Sequence, residues 1–135
     1  MFALDCSMTM AWLFDDEDDL QAAAVRDSLD ADMALVPVIW PLEVANALVV
    51  AERRQRVSRA EALRFLEVLR QLPIDVGAVP SLAAIEGALQ IGHETGLSLY
   101  DSACLDLAAT RGLPLATLDR RLAAAAVHVG VALCE

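Results

Sequence analysis

Lysine is absent from this chain of 135 residues, so all ten of its basic side chains are arginines. Cysteine is also scarce. Cys6, Cys104 and Cys134 are odd in number and lack paired spacing, which favours reduced thiols in a cytoplasmic protein. No apolar run is long and uniform enough to span a membrane, so no membrane contact is expected. The apolar start contains Asp5 and has no basic leader, which argues against a signal peptide.

The composition and the length favour one compact domain that spans residues 1–135. Hydrophobic residues make up 57% of the chain and charged residues 22%. This proportion of apolar side chains is high enough to bury a sizeable core and too high for a disordered chain. A chain of this length normally forms a single core.

The net charge of −10 argues against a nucleic-acid partner, because carboxylates repel phosphates. The charge is distributed unevenly, however. Residues 15–32 contain eight acids and one arginine, whereas residues 51–70 contain six arginines and three glutamates. The second segment is a basic stripe that could contact RNA or an acidic partner.

Short apolar strands alternate with helical segments along the chain. This alternation predicts an α/β protein with a parallel sheet that helices cover on both faces. Ser58 with Glu61 fits a capping box, and Ser98 fits a second helix start. Strands are predicted at residues 2–4, 34–38, 74–79, 115–118 and 131–134, and helices at about 20–29, 41–56, 58–72, 81–94, 98–111 and 119–127.

Four stretches that are otherwise apolar each contain a carboxylate, and these are Asp5, Glu43, Asp101 and Asp119. In residues 40–51 the polar side chains are Glu43 and Asn46, which lie three apart and share one helix face. A carboxylate that leaves water must be paired, bind a metal or become protonated. Few arginines are placed to pair all four.

The predicted positions bring the four acids to one edge of the sheet. Asp5 and Asp119 follow strands, and Glu43 and Asp101 lie near helix starts. In open parallel sheets, ligands bind beyond the carboxyl ends of the strands. Converging carboxylates without a nearby histidine suit Mg²⁺ or Mn²⁺, which can activate water and hold a phosphodiester.

Helix capping is the alternative interpretation of these acids. Asp101 and Asp119 each suit a helix N-terminus as well as they suit a catalytic role. Capping explains the presence of Asp5 poorly and that of Glu43 even less well. The four acids together are therefore a more specific signal than any one of them.

Four motifs resemble the PIN-domain family, and specifically the VapC toxin nucleases of bacterial toxin–antitoxin pairs. In chain order the motifs are LDCS at residues 4–7, PLEVANAL at 41–48, LSLYDSACLDLA at 97–108 and GLPLATLDRRL at 112–122. Each motif is weak by itself, but their order and their spread over nearly the whole chain make the resemblance specific.

The resemblance implies a three-layer α/β/α sandwich that usually forms a homodimer and cleaves RNA with Mg²⁺ or Mn²⁺. It implies that the four acids bind the metal, with Asp5 and Asp101 as the most direct ligands. It further implies a small VapB-like antitoxin, which typically lays a helix over the toxin. Side chains that would orient the ligands are Ser7, Asn46 and Thr117.

Other residues near the motifs have two readings each. Asp106 is either a fifth acid of the site or a surface residue, and its position about 140° round the helix from Asp101 favours the surface. Arg120 and Arg121 either hold RNA phosphates or are solvated helix charges. Cys6 and Cys104 lack the spacing of a zinc site and are expected to be structural thiols.

Two other functions are alternatives to a nuclease. A phosphotransfer enzyme of the haloacid-dehalogenase or receiver type generally needs a lysine, which this chain lacks. A catalytically silent PIN-like module that acts through protein partners remains the alternative. Binding of Mn²⁺ separates the two, because a silent module need not bind metal.

Overall fold

The computed structural model describes residues 1–14 and 19–135. Four acids of the acidic segment, at positions 15–18, therefore lie outside the described residues. Within the described ranges there are four strands and seven helices. In chain order they are β1 Phe2–Leu4, α1 Cys6–Ala11, α2 Leu20–Ser28, β2 Ala34–Val36, α3 Trp40–Arg53, α4 Arg59–Gln71, β3 Ile74–Val76, α5 Ile85–Thr95, α6 Leu99–Arg111, β4 Leu115–Ala116 and α7 Arg120–His128.

The sheet is parallel throughout, with the strand order β3-β2-β1-β4. The chain moves outward from β1 through β2 to β3 and then returns to the other side of β1 to form β4. The strand order thus reverses between β1 and β4. Such a reversal opens a crevice beyond the carboxyl ends of the two strands, where ligands of open α/β sheets bind.

Two apolar cores lie on opposite faces of the sheet, which confirms the predicted α/β/α sandwich. Phe2 and Leu4 of β1 join the core that α1 to α4 cover, while Ala3 between them joins the core of α5 to α7. In β4, Ala116 joins the core under α1 to α4 and Leu115 joins the core under α5 to α7. This follows from the period of two in a strand, which sends successive side chains to opposite faces.

The ends of several predicted strands and helices were wrong. The expected strand at 131–134 is only an isolated parallel bridge between Leu115 and Leu133. Strand β3 stops at Val76, and α5 begins at Ile85 instead of 81, after a turn in which Ser81 Oγ accepts from the Ala84 amide at 3.1 Å. The strand predicted at 34–38 ends at 36, directly before a proline, which cannot donate a sheet hydrogen bond.

The helix starts agree more closely with the sequence. Ser58 and Glu61 form the predicted capping box of α4, with both reciprocal bonds at 3.1 Å. Ser98 caps α6, and Gly96 and Gly112 end α5 and α6 in the left-handed conformation. The basic segment 51–70 covers the end of α3, the connection after it and most of α4. In that connection Arg56 stacks on the Phe14 ring, with its Cζ 3.9 Å from the ring centroid.

Candidate active site

Asp5 is buried at the carboxyl end of β1, with only 6% of its surface exposed. Its Oδ2 atom accepts hydrogen bonds from Ser7 Oγ at 2.5 Å, from Thr117 Oγ1 at 2.9 Å and from the Ser7 amide at 3.2 Å. Its own amide donates to Ala116 O at 3.0 Å, which fixes its backbone to β4. All three side-chain bonds end on Oδ2, so Oδ1 is the oxygen that a cation would meet.

The hydroxyls of Ser7 and Thr117 connect Asp5 to the turn after β4. Ser7 Oγ accepts from the Leu118 amide at 3.0 Å, and Thr117 Oγ1 accepts from the Asp119 amide at 3.0 Å. Because a carboxylate oxygen only accepts, each hydroxyl donates its single hydrogen to Asp5 Oδ2. The two residues therefore orient the Asp5 carboxylate, and the Thr117 bond ties Asp5 to the backbone of Asp119.

Helix α1, which the sequence analysis did not predict, explains part of this arrangement. Asp5 is the N-cap of α1, because its carboxylate accepts from the Ser7 amide. The expectation that capping explains Asp5 poorly was therefore wrong. The missed signal was an aspartate before the apolar residues Met8, Met10 and Ala11, which is typical of a helix N-terminus. Capping uses one oxygen of the carboxylate and leaves the other available.

Asp119 lies on the other side of the crevice as the N-cap of α7. Its Oδ1 atom accepts from the amides of Arg121 at 2.8 Å and Leu122 at 3.0 Å. Asp101 lies in the first turn of α6 but is not the cap, since Ser98 Oγ accepts from its amide at 3.2 Å. The capping interpretation therefore holds for Asp119 and fails for Asp101.

Glu43 lies in the first turn of α3, where its carboxyl group is half-buried. Burial raises the pKa of Glu43 to about 7, and the nearby charges of Asp5 and Asp101 add to the rise. Burial also raises the pKa of Asp101, with further contributions from Asp5 and Asp119, against smaller opposing effects of a Ser98 hydrogen bond and Arg121. Each of the four acids is thus within electrostatic range of at least one other.

The four acids concentrate negative charge that no ion pair among the described residues balances. In residues 1–14 and 19–135 none of the four acids forms an ion pair. In the same residues no group of three or more acids, histidines or cysteines is close enough to enclose a metal ion. Carboxylates that repel one another stay apart without a counter-ion, so metal binding would have to draw these side chains inward.

Two thiols lie beside the acids. Burial raises the pKa of Cys6 to about 12, and the charges of Glu43, Asp5 and Asp101 contribute. Burial raises the pKa of Cys104 in the same way, and its sulfur lies 3.9 Å from Leu4 O. Both thiols are therefore protonated at neutral pH in the metal-free protein, as expected of buried structural thiols.

Two other predicted residues, Asn46 and Asp106, do not contact the four acids. Asn46 is exposed on α3, and the described residues show no hydrogen bond to its side chain. Asp106 faces α5, where a Cβ built on Gly87 would lie 2.6 Å from its Oδ1, and it has a hydrogen bond with Thr110. Asp106 is therefore partly buried between two helices and does not join the four acids.

Comparisons with known proteins identify the family. A model of the PIN domain matches residues 3–127, and the chain therefore belongs to the PIN-domain family. It is 35% identical over 105 residues to Ribonuclease VapC3 of Mycobacterium tuberculosis, which covers 78% of this chain and 74% of that protein.

Solved structures share the fold. PAE2754 from Pyrobaculum aerophilum has a TM-score of 0.71 and 25% identity, covering 92% of this chain and 83% of that one. A toxin–antitoxin complex from Klebsiella pneumoniae has a TM-score of 0.62 and 17% identity, covering 88% of this chain and 87% of that one. FitAcB from Neisseria gonorrhoeae has a TM-score of 0.66 and 17% identity, covering 100% of this chain and 97% of that one.

Proposed function

We propose that this protein is a divalent-metal-dependent endoribonuclease and the toxin of a toxin–antitoxin pair. The observation that carries the proposal is Asp5, a 6% exposed carboxylate that accepts three hydrogen bonds and forms no ion pair with any described residue. A carboxylate taken out of water must be paired, bind a metal or become protonated, and this proposal assigns it a metal. Membership of the PIN-domain family and the likeness to a VapC ribonuclease support the choice of RNA as substrate.

The donor set fits Mg²⁺ or Mn²⁺. It consists of carboxylate oxygens with hydroxyl groups behind them, which are the ligands of hard cations. Asp5 and Asp101 would be the most direct ligands, and Glu43 and Asp119 would complete the set. When bound, such an ion lowers the pKa of water and offsets the charge of a phosphodiester.

The protein's own residues have separate tasks in this proposal. Ser7 and Thr117 hold Oδ2 of Asp5, so that Oδ1 faces the crevice. Asp119 is fixed by the first turn of α7. Glu43, with its pKa raised to about 7, retains part of its proton at neutral pH and must release it to act as a ligand.

Cleavage of a panel of fluorogenic RNAs tests the proposal through metal removal. Purified protein, freed from any co-purifying partner, is expected to cut RNA with Mn²⁺ and to lose all cutting with EDTA. Excess Mn²⁺ added after EDTA should restore the rate. Cutting that persists in EDTA would contradict the proposal.

A silent binding module is the second candidate. It is favoured by the finding that, in the residues the structure describes, three acids do not converge on one point. A protein that neither cuts RNA nor binds Mn²⁺ would favour this function. In both cases we propose a small VapB-like antitoxin as a partner and the cytoplasm as the location. Among the helices of the described residues, none has the length and hydropathy of a membrane span.

We further propose that the protein forms a homodimer through an apolar groove of about 570 Å³. The groove lies between residues 37–39, residues 77–81 and the facing sides of α5 and α6. Val79 and Tyr100 line it while remaining 78% and 56% exposed, and Leu82 beside it is 92% exposed. A patch with both a hollow and protruding apolar side chains can pair with its own copy about a twofold axis.

Light scattering after gel filtration tests the dimer. The wild type is expected to have twice the mass of the chain, and Val79→Glu is expected to be monomeric because it places a charge in the groove. Val127→Glu is the matched control, since Val127 is 69% exposed on α7 and outside the groove. A monomeric wild type, or equal masses for both variants, would contradict this interface.

A further inference from the structure

Arg120 and Arg121 are adjacent in sequence but differ in their surroundings. About 100° of helix rotation separates consecutive residues, so the two side chains leave α7 in different directions. Arg121 Nη2 donates to Gly96 O, at the turn between α5 and α6, at 3.4 Å. The described residues show no such contact for the exposed Arg120.

Arg121 belongs to the acidic crevice through both its backbone and its side chain. Its amide donates to Asp119 Oδ1 at 2.8 Å, so its position is fixed relative to that acid. Its guanidinium contacts the carbonyl oxygen of Gly96 in the turn that precedes α6. Arg121 therefore spans the gap between the starts of α6 and α7, each of which carries a candidate ligand.

The guanidinium has the capacity to bind a second group. It carries five N–H donors in a planar fork, and the bond to Gly96 O uses one of them. The fork matches the oxygens of a phosphate and binds them in pairs. In a chain of net charge −10, a cation at the rim of the acidic crevice offsets part of the repulsion that RNA meets there.

We propose that Arg121, and not Arg120, is the residue that binds an RNA backbone phosphate beside the scissile bond. The inference rests on the proposed nuclease function and adds the position at which the RNA strand is held. The competing explanation is a tether, in which Arg121 only ties α7 to the turn after α5.

The test compares Arg121→Gln with Arg120→Gln, which removes the same charge one residue away. Glutamine lacks the positive charge and is too short to reach Gly96 O, so it removes both the tether and phosphate binding, and the salt dependence of RNA binding separates the two. Arg121→Gln is expected to raise KM for RNA about tenfold with little change in kcat, as for a lost charged hydrogen bond. Arg120→Gln is expected to change KM by less than about twofold.

Salt dependence identifies the lost contact. Between about 50 and about 200 mM salt, the slope of log affinity against log salt concentration is expected to be shallower by about 0.7 in Arg121→Gln, as for one single-strand phosphate contact. Arg121→Lys should restore most of this slope because it restores the charge. Equal slopes in Arg121→Gln, Arg120→Gln and the wild type would overturn the inference, as would a fall in kcat alone.

Fluorescence anisotropy with a labelled RNA, checked on a gel for intactness, provides a readout independent of cleavage. Cutting by the wild type with no difference between the two variants overturns the role of Arg121 and leaves the nuclease standing. Binding that depends on Arg121 without any cutting supports the phosphate contact of Arg121 but contradicts the nuclease proposal, and with it the position beside a scissile bond. A wild type that does not bind RNA overturns the inference.

Discussion

Replacing Asp5 by asparagine is expected to lower the rate of metal-dependent RNA cleavage by at least about 10³-fold. The metal of such a site supplies several kcal/mol of transition-state stabilisation, and each 1.36 kcal/mol corresponds to about tenfold in rate. Asparagine can turn its carbonyl oxygen toward Ser7 and Thr117 and so keep their hydrogen bonds. Its NH₂ group then takes the place of Oδ1, where it cannot bind a cation.

Single-turnover cleavage rates with Mn²⁺ measure this effect, and unfolding by urea shows whether the variant is folded. We expect Asp5→Asn to be at least as stable as the wild type without metal, because it removes one of several charges that repel one another. Asp106→Asn is the matched control, since it makes the same change on an acid that faces α5 and Thr110. A rate in Asp5→Asn above about a tenth of the Asp106→Asn rate would contradict the proposed role of Asp5.

Replacing Glu43 by glutamine is expected to reduce cleavage by about 10²-fold or more while stabilising the metal-free protein at high pH. The pKa of Glu43 is raised to about 7 in the folded chain, above its ordinary value of 4.5. The folded state therefore binds more protons than the unfolded state between these two values. Stability must then fall as the pH rises from about 4.5 to about 7.

The size of this loss is roughly 1 to 2 kcal/mol, after a discount for solvent screening because Glu43 is only half-buried. Glu43→Gln lacks an ionisable group and should lose this part of the pH dependence. Urea unfolding with EDTA, below pH 5 and above pH 7.5, measures the difference. Glu43→Gln is expected to be more stable to urea than the wild type only at the higher pH.

Glu86→Gln is the control for this experiment. Glu86, like Glu43, lies in the first turn of a helix, but it is exposed on α5. Its replacement removes only a favourable interaction with the helix dipole, which costs a few tenths of a kcal/mol. A wild type and Glu43→Gln with parallel pH profiles would show that Glu43 is not under electrostatic strain in the fold.

Much of the fold follows from periodicity and helix signals in the sequence. The strand Phe2–Leu4 and the alternation of strands and helices predict a parallel sheet, and Ser58 with Glu61 marks a helix start correctly. Helix α1 was missed because six residues in an apolar segment look the same as a helix or as a continued strand. The prediction of a last strand was wrong, because its residues form only one isolated bridge, from Leu133 to Leu115 of β4.

The candidate acids were identifiable from sequence because each interrupts an apolar stretch. Their environment was not, because it depends on tertiary packing. Nothing local predicts that Ser7 and Thr117, 110 residues apart, have hydroxyls 3.2 Å apart. The position of Asp106 depends on the close approach of Gly87 in α5, and helical spacing within α6 does not reveal that contact. Asn46 lies three residues after Glu43 on α3, yet its side chain is exposed whereas that of Glu43 is half-buried.

Calorimetric titration of the metal-free protein with Mn²⁺ tests most directly the claim that the four carboxylates form one metal site. The account predicts saturable binding by the wild type and by Asp106→Asn, with affinity at least about 10²-fold weaker in Asp5→Asn. Equal binding of Mn²⁺ by the wild type and Asp5→Asn, or no binding by either, would contradict it.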